Sequence, residues 1–292
     1  MAVPSFLARE RIVARPGFNR WLIPPAALAV HLCIGQAYAT SVYKAALVKH
    51  FDTSLTAIGI IFSIAIVMLG LSAAVFGTWV DRNGPRAAMF TAACFWSAGF
   101  LIGSLGISTG QLWLVYLGYG VIGGIGLGIG YISPVSTLIK WFPDRPGLAT
   151  GMAIMGFGGG ALIASPLSKQ LMDWYDPDYT GAADQVPSGS AVALLFLTLG
   201  LVYLVFMMFG AFIVRVPAEG WKPEGFDPST VREKSLVTTE NVSAANSIKT
   251  PQFWLLWTVL FCNVTAGIGI LEQASPMIQD FFRRGDSSLV AA

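Results

Sequence analysis

The side chains best suited to bind a ligand are hydroxyl and amide groups that interrupt long apolar runs. They are Gln36, Tyr38, Thr40, Ser41, Tyr43, Tyr131 and Ser133. Gln36, Thr40 and Tyr43 recur at helical spacing, so a helix would place them on one face. Hydrogen-bond donors that converge in an apolar environment can bind a small anion, because low polarity strengthens each bond. The pattern predicts a cavity wall; the alternative is that each group anchors the chain at a membrane interface or bonds a neighbouring helix.

One acid and one histidine lie within these apolar runs. Glu272 is a candidate coupling carboxylate, because intramembrane carboxylates are costly to bury and often functional. Counting about 20 residues from Gln252 instead places it near the outer interface, which leaves an interfacial carboxylate as the alternative. His31 lies in the first run, and its simplest interpretation is a packed neutral histidine.

A charged turn joins the second and third apolar runs, with the sequence Gly77-Thr-Trp-Val-Asp81-Arg82-Asn-Gly84-Pro85-Arg86. The glycine at its start permits close helix approach, and Gly84-Pro85 forces a tight turn that begins the next helix. Asp81 and Arg82 place charge at the membrane surface, where helix ends and basic side chains can pair with it. The alternative is a charged interfacial turn of the kind that any membrane protein needs.

The elements that position these groups must suit a lipid bilayer. Hydrophobic residues make up 54% of the 292 residues and charged residues only 12%, about half the usual share for a soluble domain. This composition excludes an ordinary soluble enzyme and a disordered chain. Seven apolar runs are long enough to cross a bilayer: 21–43, 56–80, 87–107, 111–139, 147–172, 191–214 and one from 253 past 270. Because the runs lack the alternation of barrel strands, we predict an all-α polytopic membrane protein.

Lysine and arginine concentrate on one side of these spans. They occur in the N-terminal tail, in the second-to-third and fourth-to-fifth connections and after the sixth run, whereas the opposite side holds Lys44, Lys49 and Lys169. The positive-inside rule therefore predicts a cytoplasmic N-terminus in an inner or plasma membrane. We predict a cytoplasmic tail at 1–20, a six-helix transmembrane bundle at 21–216, a cytoplasmic linker at 217–250 and, at 251–292, a seventh transmembrane helix and the truncated start of a second bundle.

No set of residues indicates covalent catalysis, a metal or a cofactor. Cys33, Cys94 and Cys262 lie in apolar runs without a Cys-x-x-Cys pair or a Cys/His cluster, so we predict free thiols and no metal site. A glycine pattern at 118–123 matches a dinucleotide fingerprint by letter only, since no strand precedes it. No basic tract indicates nucleic acid, and a retinal protein would need a lysine inside the seventh run.

The charged turn resembles the loop signature of the major facilitator superfamily, and other segments resemble its oxalate/formate antiporter family. These segments are Gly35–Tyr43, Gly120–Tyr131, Ser133-Pro134, Lys140–Arg145, Gly151–Gly160, Thr250–Trp254 and Glu272–Pro276. The resemblance implies the six-helix N-terminal bundle of such a transporter plus one further helix. It implies alternating-access transport of a small organic anion (oxalate, formate or another small carboxylate), coupled to a proton or a counter-anion. The cytoplasmic gating residues that it implies are Gly77, Asp81, Arg82, Gly84 and Arg86.

The chain departs from that family in length. The family has twelve helices, and its oxalate exchanger places cationic substrate contacts on the eighth and eleventh, beyond the seven runs found here. No lysine or arginine lies in the middle of any of these runs, so they offer an anion only neutral donors. We therefore expect a missing C-terminal half to complete the site. The alternative is a non-transporting or partner-dependent membrane module.

Overall fold

A computed structural model describes residues 4–180, 185–226 and 242–283 of the chain. The chain divides into two compact units, Met1–Trp221 and Lys222–Ala292. The described residues are helical apart from loops and one isolated parallel β-bridge between Val13 and Val216. The all-α fold class that the composition predicts is therefore confirmed.

Ten α-helices occur in the described residues. They are α1 (Ile23–Ile34), α2 (Ser41–His50), α3 (Leu55–Asn83), α4 (Pro85–Ser108), α5 (Leu112–Val115), α6 (Gly124–Trp141), α7 (Pro146–Tyr175), α8 (Gly189–Ile213), α9 (Ala244–Ser247) and α10 (Pro251–Arg283). Turns of 3-10 helix cover Ser5–Leu7, Arg9–Ile12, Arg20–Leu22 and Gly35–Ala39, and a π-helical stretch, Tyr116–Gly123, joins α5 to α6.

The seven predicted spans are confirmed as helical segments. In the described ranges, seven segments are long and apolar enough to cross a membrane: Arg20–Ala39, Leu55–Asn83, Pro85–Ser108, Leu112–Trp141, Pro146–Tyr175, Gly189–Ile213 and Pro251–Leu271. Six belong to the first unit, which extends to Trp221 because that indole packs on Trp141, with 4.7 Å between ring centroids.

Helix ends follow local sequence signals. Ser54 caps α3, and its Oγ accepts a hydrogen bond from the Ala57 N–H at 3.1 Å. Between α3 and α4, Gly84 adopts a φ of +86°, a backbone conformation in which any residue with a Cβ would be strained. Pro85 then opens α4, where its fixed φ suits the first helical turn. The turn that Gly84-Pro85 predicts is thus where α3 ends and α4 begins.

Glycines let the first span cross α7 at close range. A Cβ on Gly160 would lie 2.6 Å from the Gly35 Cα, and a Cβ on Gly35 would collide with the Phe157 carbonyl oxygen. The interior also contains an aromatic cluster, in which the Phe100 ring centroid lies 5.1 Å from those of Trp96 and Phe196. This packing fixes the positions of the first span, α4, α7 and α8 within the first unit.

The N-terminal segment, residues 4–22, folds against one end of the first unit. That end also holds the Gly84 turn and the α6–α7 connection, and we call it the basic end. Ile12 is fully buried there, and its carbonyl accepts from the Val216 N–H at 2.9 Å. Phe18 packs on Trp141, with 5.4 Å between ring centroids. Residues 4–20, predicted as a tail, are therefore part of the fold.

The second unit contains α9 and α10 among its described residues. Thr250 directly precedes α10, and its Oγ1 accepts from the Phe253 N–H at 3.4 Å, while Pro251 occupies the first helical position. Trp257 and Phe261 stack along α10, with 5.1 Å between ring centroids.

Candidate functional site

The first span is broken beside the predicted polar residues. α1 ends at Ile34, a 3-10 turn of about three residues per turn follows over Gly35–Ala39, and α2 begins at Ser41. Gln36 and Tyr38 lie two residues apart on this turn and therefore point to different sides of the span. The break separates the predicted cavity residues into two groups.

Tyr38, Tyr131 and Phe157 come together on one side of the break. The Phe157 ring, on α7, lies edge-on at 5.0 Å from each tyrosine ring centroid. Both tyrosines are half-buried, and neither hydroxyl has a hydrogen-bond partner among the described residues. We call these three residues the tyrosine face. It presents two unused hydroxyl donors beside an aromatic surface.

The tyrosine face continues along α6 as an open groove. Its lining residues are Tyr131, Ile132, Val135, Ser136, Ile139 and Lys140. These positions repeat every four residues, so they form a single stripe of the helix. The groove thus runs from Tyr131 toward the basic end, where Lys140 lies.

His31 lies directly behind the tyrosine face. Its Nδ1 is 2.8 Å from the Ala153 carbonyl oxygen of α7, and its Nε2 is 3.0 Å from the Tyr131 carbonyl oxygen of α6. The imidazole stacks on the Tyr131 ring at 5.7 Å and is only 1% exposed. The histidine is packed, as the sequence predicts, but it links three helices.

Gln36 and Tyr43 share a face, as their spacing predicts, but that face is the interior of the first unit. The Gln36 amide donates to the Tyr43 hydroxyl at 3.1 Å and accepts from the Tyr119 hydroxyl at 3.2 Å. Both residues are buried, and the Tyr43 ring packs on Phe196. Thr40 is half-buried and donates to the Ala37 carbonyl at 3.1 Å. The hydrogen bonds of the Gln36 amide therefore join α2 to the π-helical stretch, and the amide is not part of the tyrosine face.

Ser133 lies two residues beyond Tyr131 and so on another side of α6. It is buried, and its Oγ donates to the Pro85 carbonyl at 3.4 Å. It borders a cavity of about 20 Å³ at the basic end, together with Asp81 and Lys140. That volume holds roughly one water molecule. Ser133 thus belongs to the basic end rather than to the tyrosine face.

The charged turn divides into exposed and buried members. Asp81 and Arg82 are exposed in the last turn of α3, and their side chains form no ion pair within the described residues. Arg86 is only 9% exposed and donates to the Phe6 and Phe212 carbonyls at 3.3 and 3.2 Å. Since Phe212 lies in the last turn of α8, its carbonyl has no partner within that helix. Arg86 therefore joins the N-terminal segment to the end of α8.

Gly77 has no close neighbour in the part of the chain that the structure describes. A Cβ there would meet no atom within 4 Å. The close helix approach that the sequence predicts at this glycine is therefore not made by the described residues. By contrast, a Cβ added to Gly84 would lie 3.3 Å from the Arg9 side chain. The Arg9 guanidinium also donates a hydrogen bond to the Asp81 carbonyl at 3.2 Å.

An ion pair that the sequence did not predict fastens the N-terminal segment to the α6–α7 connection. The Arg20 guanidinium donates to both carboxylate oxygens of Asp144, at 2.6 and 2.9 Å, and lies 4.8 Å from the Phe142 ring centroid. The hydrogen bond from Arg20 lowers the pKa of the Asp144 carboxyl from its usual value. Only tertiary folding brings these two residues together, since 124 positions separate them.

Two further ionisable side chains belong to apolar helices or lie next to an apolar run. Glu272 lies on α10, but its side chain is outside the described residues. Lys44, which the sequence places on the side opposite the basic end, lies directly after Tyr43 on α2 and is only 4% exposed. Phe157 and Tyr119 gave no sequence signal of their own, because aromatic residues in apolar runs are indistinguishable from ordinary core.

Comparison with known proteins relates the chain to membrane transporters. The family model described as Major Facilitator Superfamily matches residues 26–291. The oxalate:formate antiporter of Oxalobacter formigenes is 26% identical over 259 residues, which cover 88% of this chain and 55% of that protein. The uncharacterized MFS-type transporter YhjX of Escherichia coli (strain K12) is 24% identical over 261 residues, covering 89% of this chain and 58% of that protein.

A third relative is named for a different carboxylate. Apicoplast pyruvate carrier 1 of Toxoplasma gondii is 32% identical over 193 residues, which cover 54% of this chain and 34% of that protein. The chain thus spans little more than half the length of the first two relatives and about a third of this one.

Proposed function

Because the chain belongs to the Major Facilitator Superfamily, whose model matches nearly its whole length, we propose that it is part of a secondary transporter for a small carboxylate. The seven apolar helices and the family make it an integral membrane protein. The relatives are named as transporters rather than enzymes, and two are named for oxalate, formate or pyruvate. Oxalate, formate and pyruvate are all small carboxylates, which makes that class the proposed substrate.

The observation that carries the proposal is the pair of unused hydroxyls on the tyrosine face. An ionised carboxylate only accepts hydrogen bonds, and a tyrosine hydroxyl can donate one. Tyr38 and Tyr131 flank Phe157 at equal ring distances, so both can reach one small ligand placed against that ring. The open groove along α6 supplies a path to this position.

The charged turn supports a gating role at the basic end, which we propose faces the cytoplasm. The side chains of Asp81 and Arg82 are exposed and form no ion pair within the described residues, so they are available to a second bundle. The open surface at Gly77, one turn earlier on α3, would let a helix of that bundle approach closely. Arg86 supports the turn from inside by holding it against the N-terminal segment and α8.

The proposal is tested by measuring anion uptake into proteoliposomes that contain the full-length natural protein. Radiolabelled oxalate, formate and pyruvate are supplied in turn, with and without the same anion inside. We expect Tyr38→Phe and Tyr131→Phe each to raise KM about tenfold or more, because a hydrogen bond to a charged group contributes about 1.5–3 kcal/mol. The matched control is Tyr116→Phe, whose hydroxyl donates to the Ala57 carbonyl at 2.9 Å, away from the tyrosine face.

The outcomes separate the proposed function from its alternative. Uptake with an unchanged KM in both tyrosine variants would remove the tyrosine face from the substrate site. Folded wild-type protein that moves none of the three anions would overturn the proposal and favour a partner-dependent module. Uptake that is accelerated by the internal anion would identify exchange, whereas uptake driven by a pH gradient would identify proton coupling.

A further inference from the structure

His31 has two hydrogen-bond acceptors and, when neutral, only one donor. A neutral imidazole carries a proton on one nitrogen and a lone pair on the other, whereas the imidazolium ion donates from both. The two ring nitrogens of His31 face the carbonyl oxygens of Ala153 and Tyr131 at 2.8 and 3.0 Å. In the neutral form, one lone pair would therefore point at a carbonyl oxygen. Only the protonated ring satisfies both contacts.

The surroundings of His31 leave its charge uncompensated in the first unit. From α6, the titratable group against the ring is Tyr131; from α7, the ring meets Ala153, Gly156 and Phe157, which do not titrate. Among the described residues, no charged side chain forms a hydrogen bond or an ion pair with the ring. Two charge-assisted hydrogen bonds thus favour the proton, while burial of the charge opposes it. An anion nearby would settle that balance toward the proton.

The tyrosine face supplies the place for that anion. The same Tyr131 residue stacks on the imidazole, gives its backbone carbonyl to Nε2 and offers its hydroxyl to the face. We propose that His31 is a proton-binding site linked to carboxylate binding at the tyrosine face, which makes transport proton-coupled. This inference rests on the proposed function. It identifies a cationic group in the middle of a membrane span, where the sequence offers no lysine or arginine.

The linkage works in both directions. A proton from water binds the ring nitrogen whose lone pair faces a carbonyl, and the new N–H donates to that oxygen; release reverses the step. The imidazolium then attracts a carboxylate at the tyrosine face, and the bound carboxylate in turn holds the proton more tightly. Proton loss leaves one carbonyl without its donor and weakens the contact of α1 with α6 or α7. Loading with proton and anion together therefore tightens these three helices.

The protonation of His31 can be observed directly, because the chain contains only two histidines. The two ring nitrogens of His31 are followed by NMR of ¹⁵N-histidine-labelled protein in lipid nanodiscs, and the signals missing from His31→Gln and from His50→Gln protein assign the two residues. His50 provides the matched control, since it has one carbonyl partner, Ile107 at 2.7 Å, and lies away from the tyrosine face. Saturating oxalate, formate or pyruvate is added at each pH between about 5 and 8.

We expect His31 to change from doubly to singly protonated in this range, and the anion to tighten proton binding about tenfold, which is one pH unit. His50 should not respond to the anion. A His31 ring that keeps one protonation state throughout, or a titration that the anion leaves unchanged, would overturn the inference. Because these measurements need no transport, carboxylate uptake by a protein with an unresponsive His31 would leave the proposed function standing.

A variant separates coupling from structure. His31→Gln can donate from its amide nitrogen to one carbonyl but cannot bind a proton. We expect folded His31→Gln protein to lose the stimulation of uptake by a pH gradient while Tyr116→Phe retains it. If a pH gradient stimulates uptake equally in His31→Gln and wild-type protein, the inference is overturned and the coupled proton binds another group. The sequence predicts Glu272 as that group.

Discussion

The Arg20–Asp144 ion pair should stabilise the first unit measurably, and Asp144→Asn tests this. Asparagine keeps the size of the side chain but removes the charge, and its amide can accept only one of the two hydrogen bonds of 2.6 and 2.9 Å. A hydrogen bond to a charged group contributes about 1.5–3 kcal/mol, while an exposed ion pair contributes about 0–1 kcal/mol. Both side chains are 18% exposed, so this pair is neither fully buried nor fully exposed, and its contribution should lie between these two energies. We therefore expect a loss of about 1–2 kcal/mol in the free energy of unfolding.

The loss stays below that of a fully buried pair because Arg20 keeps other partners. Its guanidinium lies against the Phe142 ring and 3.4 Å from the Trp141 carbonyl oxygen, so the charge is not stranded in Asp144→Asn. By the usual scaling for chains of this size, the midpoint of thermal unfolding should fall by about 2–8 °C. Intrinsic tryptophan fluorescence in detergent, at one fixed heating rate, reports this midpoint from all nine tryptophans of the chain, including Trp141.

The pH dependence of this stabilisation has a defined sign. Arg20 lowers the pKa of the Asp144 carboxyl in the folded state. The stabilisation is therefore complete wherever the carboxyl is charged in both folded and unfolded states. It declines only as the pH falls below the ordinary aspartate value of about 3.9 and through the lowered folded value. The gap between wild type and Asp144→Asn should thus be constant from about pH 8 to 5.

A matched control distinguishes this pair from surface charge in general. Lys169 and Asp173 form an ion pair of 2.9 Å one turn apart on α7, with side chains 66% and 38% exposed. Asp173→Asn should cost less than about 0.5 kcal/mol. Equal unfolding midpoints for Asp144→Asn and Asp173→Asn would refute the reasoning. So would a double-mutant cycle of Arg20→Gln with Asp144→Asn that gives no coupling energy.

Two further predictions concern packing at the first span and at the basic end. Gly160→Ala should sharply reduce the yield of monodisperse protein, because its Cβ would lie 2.5 Å from the Leu32 carbonyl oxygen. In the control, Gly158→Ala, the Cβ would face open space, and the yield should not change. Equal yields of the two variants on size exclusion would contradict this prediction. Arg86→Gln should lose about 1–3 kcal/mol of stability, since its guanidinium donates to two backbone carbonyls. Arg82→Gln, at an exposed position, should change stability by less than about 0.5 kcal/mol; similar unfolding midpoints for the two variants would show that the buried bonds contribute little.

The sequence predicted the spans because their signals are local. Apolar composition over about 20 residues determines which segments can cross a bilayer, and no tertiary contact is needed to recognise it. The turn at Gly84-Pro85 was predictable for the same reason, as positive φ and a helix start depend on those two residues. Where local chemistry decides the structure, the sequence is sufficient.

The candidate site depended on contacts that no local pattern encodes. The spacing of Gln36 and Tyr43 predicted a shared face, and they share one, but whether that face points to a cavity or to the core depends on Tyr119. Tyr119 lies 83 positions from Gln36 in the sequence. The need for glycine at position 35 likewise depends on the Phe157 carbonyl of α7, which leaves no room for a Cβ there. These residues were predicted as polar groups, and the structure divides them between core and tyrosine face.

The sequence contains an indication that the N-terminal segment folds, but the many arginines of the segment favour a different interpretation. Leu7 and Ile12 are apolar residues among arginines, and both are buried at the basic end. A charge-rich stretch next to a membrane span is usually interpreted as a solvated tail, because lysine and arginine mark the cytoplasmic side. Here Arg9 bonds a backbone carbonyl and Arg20 bonds Asp144, so two of these positive charges are used in packing.

The first span is joined to the α6–α7 hairpin at three depths, which determines how these helices can move. Arg20 binds Asp144 at the basic end, and His31, 11 residues or about 16 Å further along a helix, contacts carbonyls of both α6 and α7. Gly35 then meets Gly160 beyond the histidine. A tilt of α7 alone would strain all three contacts at once, whereas rotation of the three helices together would strain none. In the proposed transport cycle, the first span and α6–α7 should therefore move as one body, and His31 is the contact among the three that we propose binds the coupled proton.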